Sequence, residues 1–503
     1  MFSYLKNVGL GVVLNFKCTN SLCTAVTEIH SDPEISALNE LALLTLSTGS
    51  GFSQECEKFA ARYMSKYVFA SCEKTTEKVL DSTIETNLVK SIQEEKKLAD
   101  ERNDIDKDGF FCVTAVVDGG WCKRSYGHGY NASSGVAFII GLATQKIIFI
   151  DIRNKVCLTC HAIETGRISS KTHVCHKNWD AYSTSMESNI IVEGMKYLES
   201  IHNIRCTRVV GDGDSNIIKR IKDEIGYGNR VLKVECANHA VRRYSRALEK
   251  LQRDTRRFSG KSGVRVRNIL KQNIGKLAQG ARALIKKHAI LFQSEPSQTA
   301  IQELVSNFRN FPRLVFQQSS KSNPTNKMPE ESSELLSLME SSGMLRAIDE
   351  EINRVLVSCS NTLIYNVTNN PAENYMNQFC KTSGGKRIDF AKAGSIGRRA
   401  KIAALAYQQP AQQWHKEVNK FVTGRSPTNP LRKFLSRRNN EHLKRIKRRQ
   451  IFSKEKERRK QRKYSHVPKG GDKNYGDFPE KPDITEEMYQ IPVANPGFGS
   501  GRG

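Results

Sequence analysis

The sequence predicts an α/β chain. A mixed β-sheet carries helices, is interrupted by a helical insertion, and is flanked by an N-terminal helical segment and a basic C-terminal tail. Three observations predict it. Apolar runs of strand type cluster between residues 110 and 234, while helix-type periodicity fills the flanks. Within that window the order is three strands, then a crossover helix and a strand, then a second helix and strand. The first and fourth strands each run into an aspartate, Asp118 and Asp212.

Residues 1–105 read as mostly helical, with periodic apolar positions over 35–46, 55–69 and 76–91. Residues 90–107 are highly charged and read as an exposed helix or linker. The opening stretch, 1–16, is mildly apolar but carries Lys6 and lacks a cleavage site, so it is not read as a signal peptide. No apolar run approaches the roughly 20 residues needed to span a bilayer, which speaks against a membrane partner. The 13 cysteines are odd in number and too sparse for a disulfide scaffold. A reducing compartment follows, and clustered cysteines are first tested as metal ligands. Cys18 and Cys23 stand apart and read as ordinary thiols.

Residues 106–240 form the first part of the predicted catalytic core. Its first strand, 110–117, is β-branched and apolar and ends on Asp118, followed by Gly119-Gly120-Trp121. An unpaired buried carboxylate is costly, so Asp118 either starts an Asp-Gly turn or binds a cation. Strands over 135–142 and 146–152 are joined as a hairpin. A helix over 185–202 leads to a strand over 204–210, which runs into Gly211-Asp212-Gly213-Asp214. A helix over 216–225 and a strand over 230–234 follow. This order fits a ribonuclease-H-like sheet, with the first and fourth strands side by side and Asp118 beside Asp212. Residues 241–360 read as a basic helical insertion, and 361–415 as the last part of the core, with helices over 372–379 and 397–408. The tail, 416–503, is a basic helix over 431–464 and then a Pro/Gly-rich stretch expected to be disordered.

Two aspartates a few ångströms apart stay ionised only around a cation. Hard oxygen ligands of this kind select Mg²⁺ or Mn²⁺, and two such ions can clamp both oxygens of a phosphodiester displacement. Glu373, at the start of a late helix, is the expected third carboxylate. Asp214 competes with Asp212, which is favoured because it lies closer to the strand while Asp214 can cap the next helix. Glu187, on the first crossover helix, either joins the site or forms a buried salt bridge. Separately, Cys157-x2-Cys160 followed by His173-x-Cys175, with His176 adjacent, has the spacing of a structural zinc site. Cys236-Ala237-Asn238-His239 follows the fifth strand; it either orients a catalytic group, contacts DNA, or is a packed pair.

The net charge of +27 is concentrated. Residues 241–290 hold 15 Lys/Arg against 2 acids, and residues 431–464 hold 16 against 3. Two such blocks on a near-neutral body point to a polyanion, most simply nucleic acid. Arg242, Arg243, Arg246, Lys386, Arg387, Arg398 and Arg399 are the expected phosphate contacts, and the second block doubles as a nuclear localisation signal.

Taken as an ordered set, Val117-Asp118-Gly119-Gly120-Trp121, Val210-Gly211-Asp212-Gly213-Asp214, Glu235-Cys236-Ala237-Asn238-His239 and Asn370-Pro371-Ala372-Glu373-Asn374-Tyr375 through Gly384-Gly385-Lys386-Arg387 resemble the Mutator-like transposases of animal genomes. The resemblance covers roughly residues 30–410. It implies a DDE-class cut-and-paste DNA transposase with a ribonuclease-H-like core and a helical insertion before the last acid. Asp118, Asp212 and Glu373 would form its triad, and Cys236 and His239 its Cys-x2-His motif. Expected partners are double-stranded DNA, as transposon ends and target, and further copies of the chain. One departure is that the first fifty residues offer only Cys18 and Cys23 where such proteins carry a DNA-binding zinc module. A catalytically inert, host-adopted DNA-binding protein and a structure-selective nuclease of the same fold are the rival expectations.

Overall fold

The computed structural model describes residues 2–8, 11–18, 20, 23, 25–30, 36–59, 64–122, 131–170, 172–211, 215–290, 296–319, 330–386, 388–392 and 394–465. Asp212, Asp214, Arg387 and the Pro/Gly-rich stretch after residue 465 lie outside them.

Ahead of the core, β1 (Phe2–Val8), β2 (Gly11–Lys17) and β3 (Val26–His30) form a three-stranded antiparallel sheet. Helical periodicity is absent from these thirty residues, and Val12, Val13, Phe16, Val26 and Ile29 suit a pleated surface. Helices take over with α1 (Ser36–Thr48), α2 (Phe52–Phe59) and α3 (Lys66–Glu101). Ser65 caps α3 by accepting the Val68 N–H at 3.2 Å. The charged stretch from residue 90, expected to be exposed, belongs to α3. One side of it is buried through Ile92, Glu95 and Ala99. Glu95 earns its burial by accepting the N–H groups of Ala143 and Thr144 at 3.1 and 2.9 Å.

The core sheet has five strands: β4 (Phe111–Cys122), β5 (Ser134–Gly141), β6 (Ile147–Asn154), β7 (Ile204–Gly211) and β8 (Leu232–Glu235). Their spatial order is β6-β5-β4-β7-β8. The first three are antiparallel neighbours, and β7 and β8 continue the sheet in parallel with β4. β4 is therefore central, and β7 lies against it with Val116 opposite Val210. Strand β4 also runs five residues past the expected end, pairing Asp118 with Phe138 and Cys122 with Ser134. The Asp-Gly turn is thereby excluded. Gly119 serves close packing instead: a Cβ there would lie 2.7 Å from the Glu187 Cγ.

Helices cover both faces, as a sheet buried on both sides requires. One face packs Val113, Ala115, Val117, Ala137 and Ile139 against α5 (Met186–His202) and α6 (Ser215–Glu224). The other packs Val116, Phe138, Val210 and Val234 against α3, α13 (Asn370–Thr382) and α14 (Ser395–Gln408). Between β8 and α13 the described residues are mostly helical. They comprise α7 (Ala237–Arg253), α8 (Gly260–Lys287), α9 (Gln298–Ser319), α10 (Glu330–Ser341), α11 (Met344–Val355) and α12 (Ser360–Leu363). These helices enclose a second apolar core around Tyr244, Leu270, Phe308, Phe316 and Ile348. Helix α15 (Ala411–Thr423) follows, and α16 (Asn429–Ser465) carries the second basic block. Among the described residues no helix is long and apolar enough to cross a membrane.

Candidate active site and metal centre

Side chains alternate between the two faces of a strand, so Asp118 and its cross-strand partner Phe138 share a face. That face is covered by α13, whose Tyr375 ring lies 4.3 Å from the Phe138 ring. Asp118 is half-buried, and its Oδ1 accepts the Gly119 N–H at 2.8 Å. Gly119 points to the opposite face, where Glu187 of α5 packs against it. The two glutamates singled out from the sequence thus approach β4 from opposite sides, Glu373's helix on the Asp118 face and Glu187 beneath the next residue. β7 is described as far as Gly211, beside Val117; Asp212 and Asp214 lie beyond the described residues.

Glu373 stands in the first turn of α13, where an acid complements the positive end of the helix dipole. Its Oε1 is 3.2 Å from an Arg242 guanidinium nitrogen and 3.5 Å from His239 Nε2. The whole Cys236–His239 motif meets this helix start. The Asn369 N–H donates to the buried Cys236 Sγ at 3.2 Å, and the Ala237 N–H donates to the Val367 carbonyl at 2.9 Å. The Asn238 amide donates to Asn370 Oδ1 at 3.0 Å. Asn238 and Asn370 lie within sequence motifs but carry no assigned role there, although Asn369-Asn370-Pro371 is itself a helix-start signal.

Cys157 and Cys160, just before and within the short helix α4 (Leu158–Glu164), converge with His173 and Cys175. Their ligand atoms all lie within 4.8 Å of one another, and the group can hold a metal such as zinc. His173 Nε2 is 3.4 Å from Cys157 Sγ and 3.3 Å from Cys160 Sγ, and the Cys160 and Cys175 sulfurs are 3.4 Å apart. Three thiols and an imidazole around one point are a soft donor set of tetrahedral type. Burial raises the Cys157 thiol, but the N–H groups of Cys160, His176 and Thr159 and the His173 ring outweigh it and bring it down to about 6. Cys160 is pushed up to about 11, chiefly by its contact with Cys175, then by burial and by Cys157. His176 is not in the cluster. It packs against Gly394 at the start of α14, and the Asn154 amide donates to the Ala391 carbonyl at 2.9 Å, so this knuckle is docked on the segment after α13.

The expected phosphate contacts separate into two groups. On α7, Arg242, Arg243 and Arg246 are exposed; Arg243 pairs with Glu235 at 2.6 Å and Arg242 with Glu373. Arg398 and Arg399 are a correction. They are 2% and 1% exposed, out of reach of DNA. Arg398 is paired with Glu77 at 2.9 Å and Glu73 at 3.6 Å. Arg399 donates to the carbonyls of Thr382, Leu46 and Ser50 and lies 3.5 Å over the Phe390 ring. With every charge answered from inside, both arginines hold helices together. Lys386 lies in the turn after α13.

The sequence matches the family model described as Mutator-like transposase over residues 2–311. No curated protein and no solved structure matches the chain.

Proposed function

The chain belongs to the Mutator-like transposases, and from that membership we propose a DDE-type DNA transposase built on a ribonuclease-H-like core. Residues 106–240 and 361–415 would be the two parts of that core, divided by the basic helices of 241–360. The observation that supports the reading is that α13, which carries Glu373, covers the Asp118 face of the sheet. The strand order β6-β5-β4-β7-β8, with the last two parallel to the centre, supports it.

In this reading Asp118, Asp212 and Glu373 would hold two divalent ions, Mg²⁺ or Mn²⁺. The acidic donor set suits hard cations, and ions bound there supply the charge stabilisation for in-line displacement at phosphorus. The chain's own work would be to hold DNA. Exposed arginines of α7 would grip the phosphates on either side of the scissile bond. Hydrolysis at the element end would free a 3′-hydroxyl, which then attacks target DNA. Joining two ends calls for two such centres, hence a homo-oligomer. Cys157, Cys160, His173 and Cys175 would hold a structural zinc. The basic helix α16 would serve nuclear import.

Labelled element ends, target plasmid and Mg²⁺ test the reading in one assay. Joined product that is lost in Asp118→Asn and Glu373→Gln supports transposition. Cleavage without joining supports a nuclease, and binding without either supports a host-adopted DNA-binding protein. Joining that survives both substitutions sinks the triad.

A further inference from the structure

We infer that Cys236 and His239 are positioning residues that set Glu373 for metal binding, rather than DNA contacts. The inference rests on the proposed role of Glu373 as a metal-binding acid. Four consecutive residues at the start of α7 engage the start of α13, each through a different group. Cys236 Sγ accepts the N–H of Asn369, the residue before α13 begins. Ala237 N–H bonds the Val367 carbonyl, and the Asn238 amide bonds Asn370 Oδ1. His239 Nε2 then reaches the Glu373 carboxylate itself at 3.5 Å.

The burial pattern separates positioning from nucleic-acid contact. Cys236 is 1% exposed and its thiol points into the protein, where it has an N–H donor to satisfy. The His239 side chain is 18% exposed and turned to Glu373, whereas Arg242, one turn further along α7, is 56% exposed. Both reach the same Glu373 oxygen, Arg242 at 3.2 Å from the solvent side and His239 at 3.5 Å from the buried side, so it is the histidine that is enclosed with the acid. A carboxylate on a first helical turn has rotamer freedom that would blur a metal site. An imidazole on one oxygen and a fixed helix start remove much of it, as partners behind metal ligands generally do.

Mn²⁺ titration of the full chain, followed by the loss of free-ion paramagnetic resonance signal, reads the proposal directly. Glu373→Ala supplies the baseline for a lost ligand. His239→Ala should raise the half-saturating Mn²⁺ concentration by about tenfold or more. His239→Gln, which keeps an N–H donor, should recover part of the affinity, and Cys236→Ala should shift it in the same direction as His239→Ala. DNA affinity by fluorescence anisotropy and the melting temperature of His239→Ala should stay at the parent values. Unchanged Mn²⁺ affinity in His239→Ala, with Glu373→Ala shifted, overturns the inference. So does a loss of DNA affinity with Mn²⁺ binding intact, which would make the motif a DNA contact. If Glu373→Ala itself leaves Mn²⁺ binding unchanged, it is the reading of Glu373 that fails.

Discussion

Tyr375 packs its ring 4.3 Å from that of Phe138, the residue opposite Asp118 in the β4–β5 ladder, and both rings are fully buried. The contact ties the helix that carries Glu373 to β5, the strand paired with the one that carries Asp118. Tyr375 also donates its hydroxyl to the Ala400 carbonyl at 3.2 Å, fastening α13 to α14.

Tyr375→Ala should accordingly destabilise the chain by about 3–5 kcal/mol, the range for emptying a large aromatic site. Tyr375→Phe should cost about 1 kcal/mol, because it removes one hydrogen bond and keeps the ring. Urea unfolding followed by circular dichroism measures both. Equal costs would mean that the ring contact is not what holds α13 down.

Arg399 tests the correction to the phosphate contacts. Arg399→Met leaves the carbonyls of Thr382, Leu46 and Ser50 without their donor, at a cost of about 3 kcal/mol. Its DNA affinity, measured by anisotropy at a temperature where the variant is folded, should equal that of the parent. Weaker DNA binding by the folded variant would contradict the burial argument.

Arg246 is the contrasting case, exposed on α7. Arg246→Ala should lower the slope of log affinity against log salt by about 0.9, one phosphate contact. Arg243→Ala should change it less, since Arg243 already pairs with Glu235 at 2.6 Å. A salt series from low to physiological ionic strength decides this, and an unchanged Arg246→Ala slope would remove α7 from the DNA footprint.

The cysteine cluster makes a prediction about protons. Cys157, at about 6, is already a thiolate at pH 7.5, whereas Cys160, at about 11, still carries its proton. Zinc binding at that pH should therefore release a proton from Cys160 and almost none from Cys157. As pH falls through about 6, Cys157 begins to hold a proton that the metal must displace, and affinity drops more steeply. Calorimetry in buffers of different ionisation enthalpy counts the protons. Cys160→Ser should abolish the release assigned to Cys160 and lower the zinc content of the purified chain; unchanged zinc content would exclude the site.

Much of this was legible in the residues themselves. Short apolar runs marked β5, β6 and β7 nearly to the residue, and the Cys/His spacing led straight to a cluster that closes in space. These signals are local: pleat, helix turn and ligand loop each repeat over a few residues. The assignment of Arg398 and Arg399 failed because two adjacent arginines read as surface charge wherever their partners are distant in sequence. Glu73, Glu77 and the carbonyls of Leu46 and Ser50 come from segments more than 300 residues earlier.

By itself, then, the sequence determined the order of the core strands β4 to β8, the zinc-type ligand set and the placement of basic charge, because each depends on neighbours along the chain, while the strands β1 to β3 escaped it. Tertiary structure alone decided that β4 continues past Asp118 to Cys122, since an Asp-Gly pair turns or extends according to the strand beside it. It also decided which glutamate shares the Asp118 face, because alternation fixes a face only once the covering helix is known. The approach of His239 to Glu373 is of the same kind: two helix starts far apart in sequence meet only where the helices between them fold back on the sheet.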